Sequence, residues 1–231
     1  MSGGTSTEPA PSSGMGLSAT AEAAKTAIDR LTFFGDAVVA IAMTLLALDL
    51  PVPDADSSAA LADFVGDHFG EYLAFVISFF VISLYWRGHH RLYRYVTDAP
   101  RLVLLNLLWL LAVILTPYAT RVLYGGQDIS HSDFPWRFTF YAVVQVLSAA
   151  AFVLAEREIQ QRRLYSESMP PELLERGLTI NGVLVVSFLV SIPVAFAVYA
   201  WAFAIWTLIP LFIVMVTRIR RRRVARAGSS T

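Results

Sequence analysis

The chain has 231 residues, of which 56% are hydrophobic and 16% charged, with a mean hydropathy of +0.56 and a formal net charge of zero. A soluble domain carries charge on nearer ~25% of its residues, so the composition is that of an integral membrane protein, and no acidic or basic excess nominates a partner. With no cysteine, disulfides, thiolate metal sites and cysteine nucleophiles are excluded.

Residues 1–24 are Ser, Gly, Thr, Ala and Pro with few side chains to bury, and predict a disordered cytoplasmic tail. They lack the charged-then-apolar pattern of a cleavable leader, so the first apolar segment, Leu31–Leu50, is expected to be retained as a helix. The loop that follows, "PVPDADSSAALADFVGDHFGE", is acidic, and its amphipathic part, Ala59–Phe69, predicts one or two interfacial or re-entrant helical turns. Further spans are predicted at Tyr72–Trp86, Leu102–Ala119 and Phe138–Ala155. The next apolar run, Leu178–Val216, is 39 residues long. As one helix it would reach about 59 Å, twice the ~30 Å hydrocarbon core, so it must fold back around Val198–Trp201 and give two spans, with Pro193 and Pro210 able to kink them.

The charges support six spans. With the N-terminus inside, the inner segments hold Lys25 and Arg30, then Arg87, Arg91, Arg94 and Arg101, then Arg157, Arg162, Arg163 and Arg176, and finally six arginines in "RIRRRRVARAG". That is 16 of the 18 basic residues, leaving only Arg121 and Arg137 outside. The positive-inside rule then predicts an all-α, multi-pass protein of the plasma membrane with both termini cytoplasmic. Its domains are the tail 1–24, a six-helix membrane domain 25–217 and a basic cytoplasmic tail 218–231. Beside a membrane exit such a tail is read as an orientation and lipid-headgroup element, not as a nucleic-acid site.

Enzyme motifs are missing: there is no H-E-x-x-H, G-x-S-x-G, Walker A or G-x-G-x-x-G. His89 and His90 are adjacent and face different sides of a helix, and His68 and His131 fall in outer loops, so neither a metal site nor a cofactor is expected. The potassium-filter sequence T-V-G-Y-G is absent, and "YGGQD" at Tyr124–Asp128 lacks its pattern.

The first helix carries the informative pattern. At about 100° per residue, Phe34, Val38, Ile41, Leu45 and Leu48 form one stripe, while Asp36 lies roughly 140° from Ile41 and 180° from Leu45. An intramembrane carboxylate is rare and faces a partner or a water path. Asp36 therefore points into whatever packs behind the helix, with Trp86, His89 and Asn106 as candidate partners and Arg30 able to join through its long side chain. Asp49, about 80° from Ile41, sits at the outer end in water.

These residues resemble a known family. "RLTFFGD", Arg30–Asp36, is similar to the R-x-x-x-F-S-D signature of the transmembrane protein 175 family of lysosomal and prokaryotic potassium channels. "WRGHHRL", with Trp86 and His89, and "LLNLLWLLAVILTPY", with Asn106, Pro117 and Tyr118, resemble that family's second and third spans. Gly35 departs from the signature serine and removes a hydroxyl from the motif network. The resemblance implies a homotetramer with the first helix lining a central pore. Aliphatic rings of Ile41, Leu45 and Leu48 would restrict that pore, with Thr44 and Asp49 next to it. Arg30, Phe34, Gly35, Asp36, Trp86, His89 and Asn106 would form the motif network, and potassium and other monovalent cations would be the permeant species. An apolar constriction gates by dewetting and favours the ion that sheds water more readily, which implies modest selectivity for potassium over sodium. On this reading Asp36 is buried to hold the pore helix against its neighbours. The alternative is a cation- or proton-coupled secondary transporter with Asp36 as a relay, although inverted repeats and midplane helix breaks are not visible. A third class is a non-conducting membrane scaffold.

Overall fold

The computed structural model describes residues 13–54, 57–97, 102–124 and 133–228. Within them the chain forms seven helices: α1 (Ser13–Leu48), α2 (Ser58–Asp67), α3 (Phe69–Tyr93), α4 (Leu102–Tyr124), α5 (Phe134–Arg162), α6 (Pro171–Ala197) and α7 (Tyr199–Gly228). Five of them, α1 from Glu22 onwards, α3, α4, α5 and α6, are long and apolar enough to cross a membrane. The sixth predicted span coincides with α7, several of whose side chains lie outside the described residues.

Each helix start and stop has a local cause. Ser57 caps α2 by accepting the amide of Ala60 at 3.2 Å. The ten residues of α2 bury nothing, as an interfacial element between two spans would. Proline at the first turn opens α5 and α6, where a missing N–H leaves no donor unpaired. The long apolar run breaks at Val198, whose backbone leaves helical geometry at φ −148° and ψ 80°, and whose N–H still reaches Val194 O at 2.7 Å. Helix α5 ends at Arg163 in the left-handed region, φ 54°, the one non-glycine residue with positive φ among the described residues.

Two expectations about extent are corrected. The helix α1 begins at Ser13, so half of the segment expected to be disordered is helical; its Ala and Ser residues are weak at packing but adequate helix formers. Helices α3 and α5 run on to Tyr93 and Arg162, beyond the apolar runs, because backbone hydrogen bonding continues where the membrane ends. The tag "YGGQD" (from Gly125), His131 and Arg101 lie outside the described residues.

Helix α1 packs on α3 and α4, and the remaining helices follow in series, α4 on α5, α5 on α6 and α6 on α7. Polar side chains tie α3, α4 and α5 inside the bundle. Ser78 lies 2.8 Å from Thr120 Oγ1 and 2.9 Å from Tyr141 OH, and Gln145 Nε2 donates to Thr116 Oγ1 at 3.3 Å. Such bonds are worth about 0.6 kcal/mol each between membrane helices and chiefly fix which faces meet. At the arginine-rich end the α3–α4 and α5–α6 links touch. Thr97 N donates to Leu164 O at 3.1 Å and Ser166 N to Tyr95 O at 2.8 Å. At the opposite end Tyr72 OH donates to Pro51 O at 2.9 Å, and Arg121 meets Asp49. The two sets of loops expected on opposite sides of a membrane therefore lie at opposite ends of the bundle.

Candidate functional site at the first helix

Helix α1 has two apolar faces. Ile28, Gly35, Val39, Ala42 and Leu46, at heptad-like spacing, are buried against α3 and α4. On the other face Phe34, Ile41, Leu45 and Leu48 are uncovered, with Ile41 59% and Leu48 78% exposed, and Val38 is half-buried. Val39, about 160° from Ile41, is 2% exposed.

Asp36 accepts a 2.9 Å hydrogen bond from Trp86 Nε1 on α3. The other candidate partners are arranged differently from the expectation. His89 and Asn106 bond each other, Nε2 of the buried histidine donating to Asn106 Oδ1 at 2.7 Å. The His89 ring stacks on Tyr93 at 3.9 Å and on Trp109 at 4.6 Å, which holds it in place beside Asn106. Arg30 is exposed and, among the described residues, makes no hydrogen bond or ion pair with Asp36, since it stands one and two-thirds turns away around the helix. Asp36 itself is half-buried, not buried, because α1 packs on α3 and α4 along one face only.

Gly35 is buried, and a Cβ placed on it would lie 3.7 Å from His89 Cε1 and 3.9 Å from Leu110 Cδ2. Both are ordinary contacts, so the missing serine leaves room, and the packing does not require glycine. Thr44 is exposed, but its hydroxyl proton is engaged, donating to Ile41 O at 2.8 Å; its oxygen lone pairs remain. Asp49 is exposed yet not a free carboxylate: Arg121 Nη1 donates to its Oδ1 at 3.2 Å. The pairing joins residues 72 positions apart, beyond what helix geometry can indicate.

One buried group escaped the sequence reading. Glu156, one residue past the predicted span Phe138–Ala155, is only 2% exposed, and Asn181 Nδ2 donates to both of its carboxylate oxygens at 3.1 Å. The available signal was an asparagine inside an apolar run, "LTINGVLVV", which needs a partner in hydrocarbon.

The Asp36–Trp86 bond gives a direct expectation. Asp36→Ala leaves the indole N–H without its acceptor and lowers stability by roughly 1–3 kcal/mol, toward the lower end because the pair is partly solvated. Trp86→Phe removes the donor instead, and the double variant should lose less than the sum of the two. Thermal unfolding of the three purified variants in detergent checks it; strictly additive losses would dissolve the anchor.

A bundle of apolar helices with basic residues gathered at one end, a carboxylate on its first helix and an uncovered aliphatic face beside it has the features of a polytopic membrane protein. Residues 30–117 match the family model described as endosomal/lysosomal potassium channel TMEM175. A potassium channel of Streptomyces collinus is 40% identical over 127 residues, which is 53% of this chain and 60% of that protein. A potassium channel of a Chryseobacterium species is 32% identical over 131 residues, 56% of this chain and 64% of its own length. The endosomal/lysosomal proton channel TMEM175 of Gallus gallus is 36% identical over 114 residues, 46% of this chain and 23% of the chicken protein. The matches thus span less than two thirds of these relatives. In fold, the chain is similar to a lysosomal potassium-selective channel TMEM175 homolog from Chamaesiphon minutus, with a TM-score of 0.67 and 22% identity over 82% of this chain and 97% of that one.

Proposed function

We propose that this chain is the subunit of a homotetrameric cation channel, with six spans and both termini cytoplasmic, that passes potassium in modest preference to sodium. Four copies of α1 surround the axis, and rings of Ile41, Leu45 and Leu48 form the constriction. The observation that carries the reading is the aliphatic face of α1, which none of the described residues covers and which lies opposite the face that anchors the helix. Lipid would solvate such a face equally well. What favours a pore is its coincidence with the segment shared with relatives named as potassium channels. The basic split of 16 to 2 supports six spans and the orientation.

Chemically, an apolar ring offers a hydrated ion no replacement ligands, so passage requires partial loss of its water, and potassium loses water more readily than sodium. Thr44 adds hydroxyl oxygens one helical turn above Ile41. The Asp49–Arg121 pair offsets the carboxylate at the outer mouth, so cation concentration there is weaker than four free carboxylates would produce. Asp36, bonded to Trp86, acts as the anchor of α1 in this scheme and not as a proton relay.

Purified protein in planar bilayers under opposed potassium and sodium gradients tests the function. A current reversing on the potassium side of zero is expected. Saturating flux of fixed stoichiometry would instead establish the coupled transporter, and complete absence of flux the scaffold.

A further inference from the structure

A cavity of about 220 Å³ lies between α3 and α6, with α5 as its floor, at the arginine-rich end of the bundle. Helices α3 and α6 touch each other little, and Gly88 and Gly177, which line the cavity, let the Phe152 and Glu156 side chains of α5 come up close to their backbones. Its charges are arranged unusually. Arg87, Arg91 and Arg176 line it, all three exposed, and among the described residues none has a carboxylate partner. Glu156 lines it too, buried at 2% exposure, and among the described residues its one hydrogen-bond partner is an amide, Asn181 Nδ2.

The three guanidiniums and the carboxylate share a cavity without pairing, since no basic nitrogen of the described residues lies within 4.0 Å of Glu156. A buried carboxylate without a cation is costly, and it has acceptor capacity for about four hydrogen bonds. A ligand that brings both an anion for the arginines and a primary ammonium for the carboxylate would complete both ends. The volume falls below the ~300 Å³ at which drug-sized sites begin, so it suits a headgroup. Apolar Leu84, Leu173 and Ile180 adjoin the charges, and the cleft lies where membrane helices leave the hydrocarbon.

We propose that this cleft is a phospholipid site selective for an ethanolamine headgroup: the phosphodiester lies against Arg87, Arg91 and Arg176, and the ammonium donates to Glu156, held in place by Asn181. No α1 residue lines the cleft, so the site stands or falls apart from the pore reading. Choline lipids fit less well, because a trimethylammonium has no N–H to donate. Glycerol lipids bring a hydroxyl but no positive charge.

The test is lipid retention by the detergent-purified full chain, read by native mass spectrometry with equimolar phosphatidylethanolamine, phosphatidylcholine and phosphatidylglycerol. The parent should retain the ethanolamine lipid roughly tenfold over the choline lipid, the ratio expected of one charge-assisted hydrogen bond. Glu156→Gln should bring that ratio to within about twofold while keeping phospholipid bound. Arg87→Gln with Arg176→Gln, both at exposed positions, should weaken retention of all three lipids. If Glu156→Gln does not fold, the parent's own headgroup ranking and the arginine variants still decide. Equal retention of the three lipids by the parent, or parent-like retention by the arginine variants, overturns the proposal. Free phosphoethanolamine retained as well as the lipid would overturn it in favour of a soluble ligand.

Discussion

If α1 lines the proposed pore, Ile41→Asn is expected to raise conductance and lower the preference for potassium over sodium. Ile41 is 59% exposed on a face that none of the described residues covers, so a polar side chain there meets no apolar core and should fold normally. In the proposed tetramer, four asparagine amides around the axis would supply oxygens to a partly dehydrated ion and hold water in the constriction, which removes the dewetting barrier. The same substitution at Val39, 2% exposed against α3 and α4, buries an amide without a partner and should lower stability by about 1–3 kcal/mol with no change in permeation of what folds. If Ile41 were ordinary lipid-facing surface, Ile41→Asn would leave the permeability ratio at the parent value. Single-channel recordings of both variants read the difference.

Gly177→Ala is expected to destabilise the chain although it places a better helix former in α6. Alanine gains roughly 0.5–1 kcal/mol in a helix interior. Against that, its Cβ would stand 2.0 Å from Glu156 Oε1 and 3.0 Å from Cδ, an impossible approach unless the carboxylate swings away. Swinging away breaks the bond from Asn181 and leaves buried groups unpaired, which costs on the order of 1–3 kcal/mol. The second effect exceeds the first. Shortening the acid should relieve the clash, so Gly177→Ala in a Glu156→Ala background should regain the helix-propensity gain and become neutral or stabilising. Thermal midpoints of the two singles and the double decide; Gly177→Ala that destabilises equally in both backgrounds would place the conflict elsewhere.

Much of the fold was legible because hydrocarbon imposes a length. The 39-residue run from Leu178 had to fold back, and its break falls at Val198, inside the expected window. The amphipathic turns between the first two spans are α2, which starts one residue and ends two residues before the expected bounds. The two faces of α1 follow from helical period alone, so the separation of Ile41 from Val39 needed no structure. Other features were not legible, for reasons that are equally physical. Hydropathy marks membrane thickness and not the end of the backbone ladder, so α1, α3 and α5 all overrun their apolar segments. Pairings between distant residues leave little local trace: Trp86 with Asp36 could be nominated, but His89 choosing Asn106 depends on the ring stack with Tyr93 and Trp109. Arg121 with Asp49, and Asn181 with Glu156, join helices whose relative rotation no periodicity sets.

The central claim is that Ile41 faces an aqueous pore, and the chain's lack of cysteine makes that directly measurable. Ile41→Cys is then a single thiol in an otherwise native protein, as is Val39→Cys. The account predicts that a charged, water-soluble thiol reagent reacts with the cysteine at position 41 and blocks the current, four bulky adducts closing the constriction, while the thiol at position 39 stays unreacted and the current unchanged. An Ile41→Cys channel that conducts but neither reacts nor blocks would contradict it, and would put Ile41 against lipid.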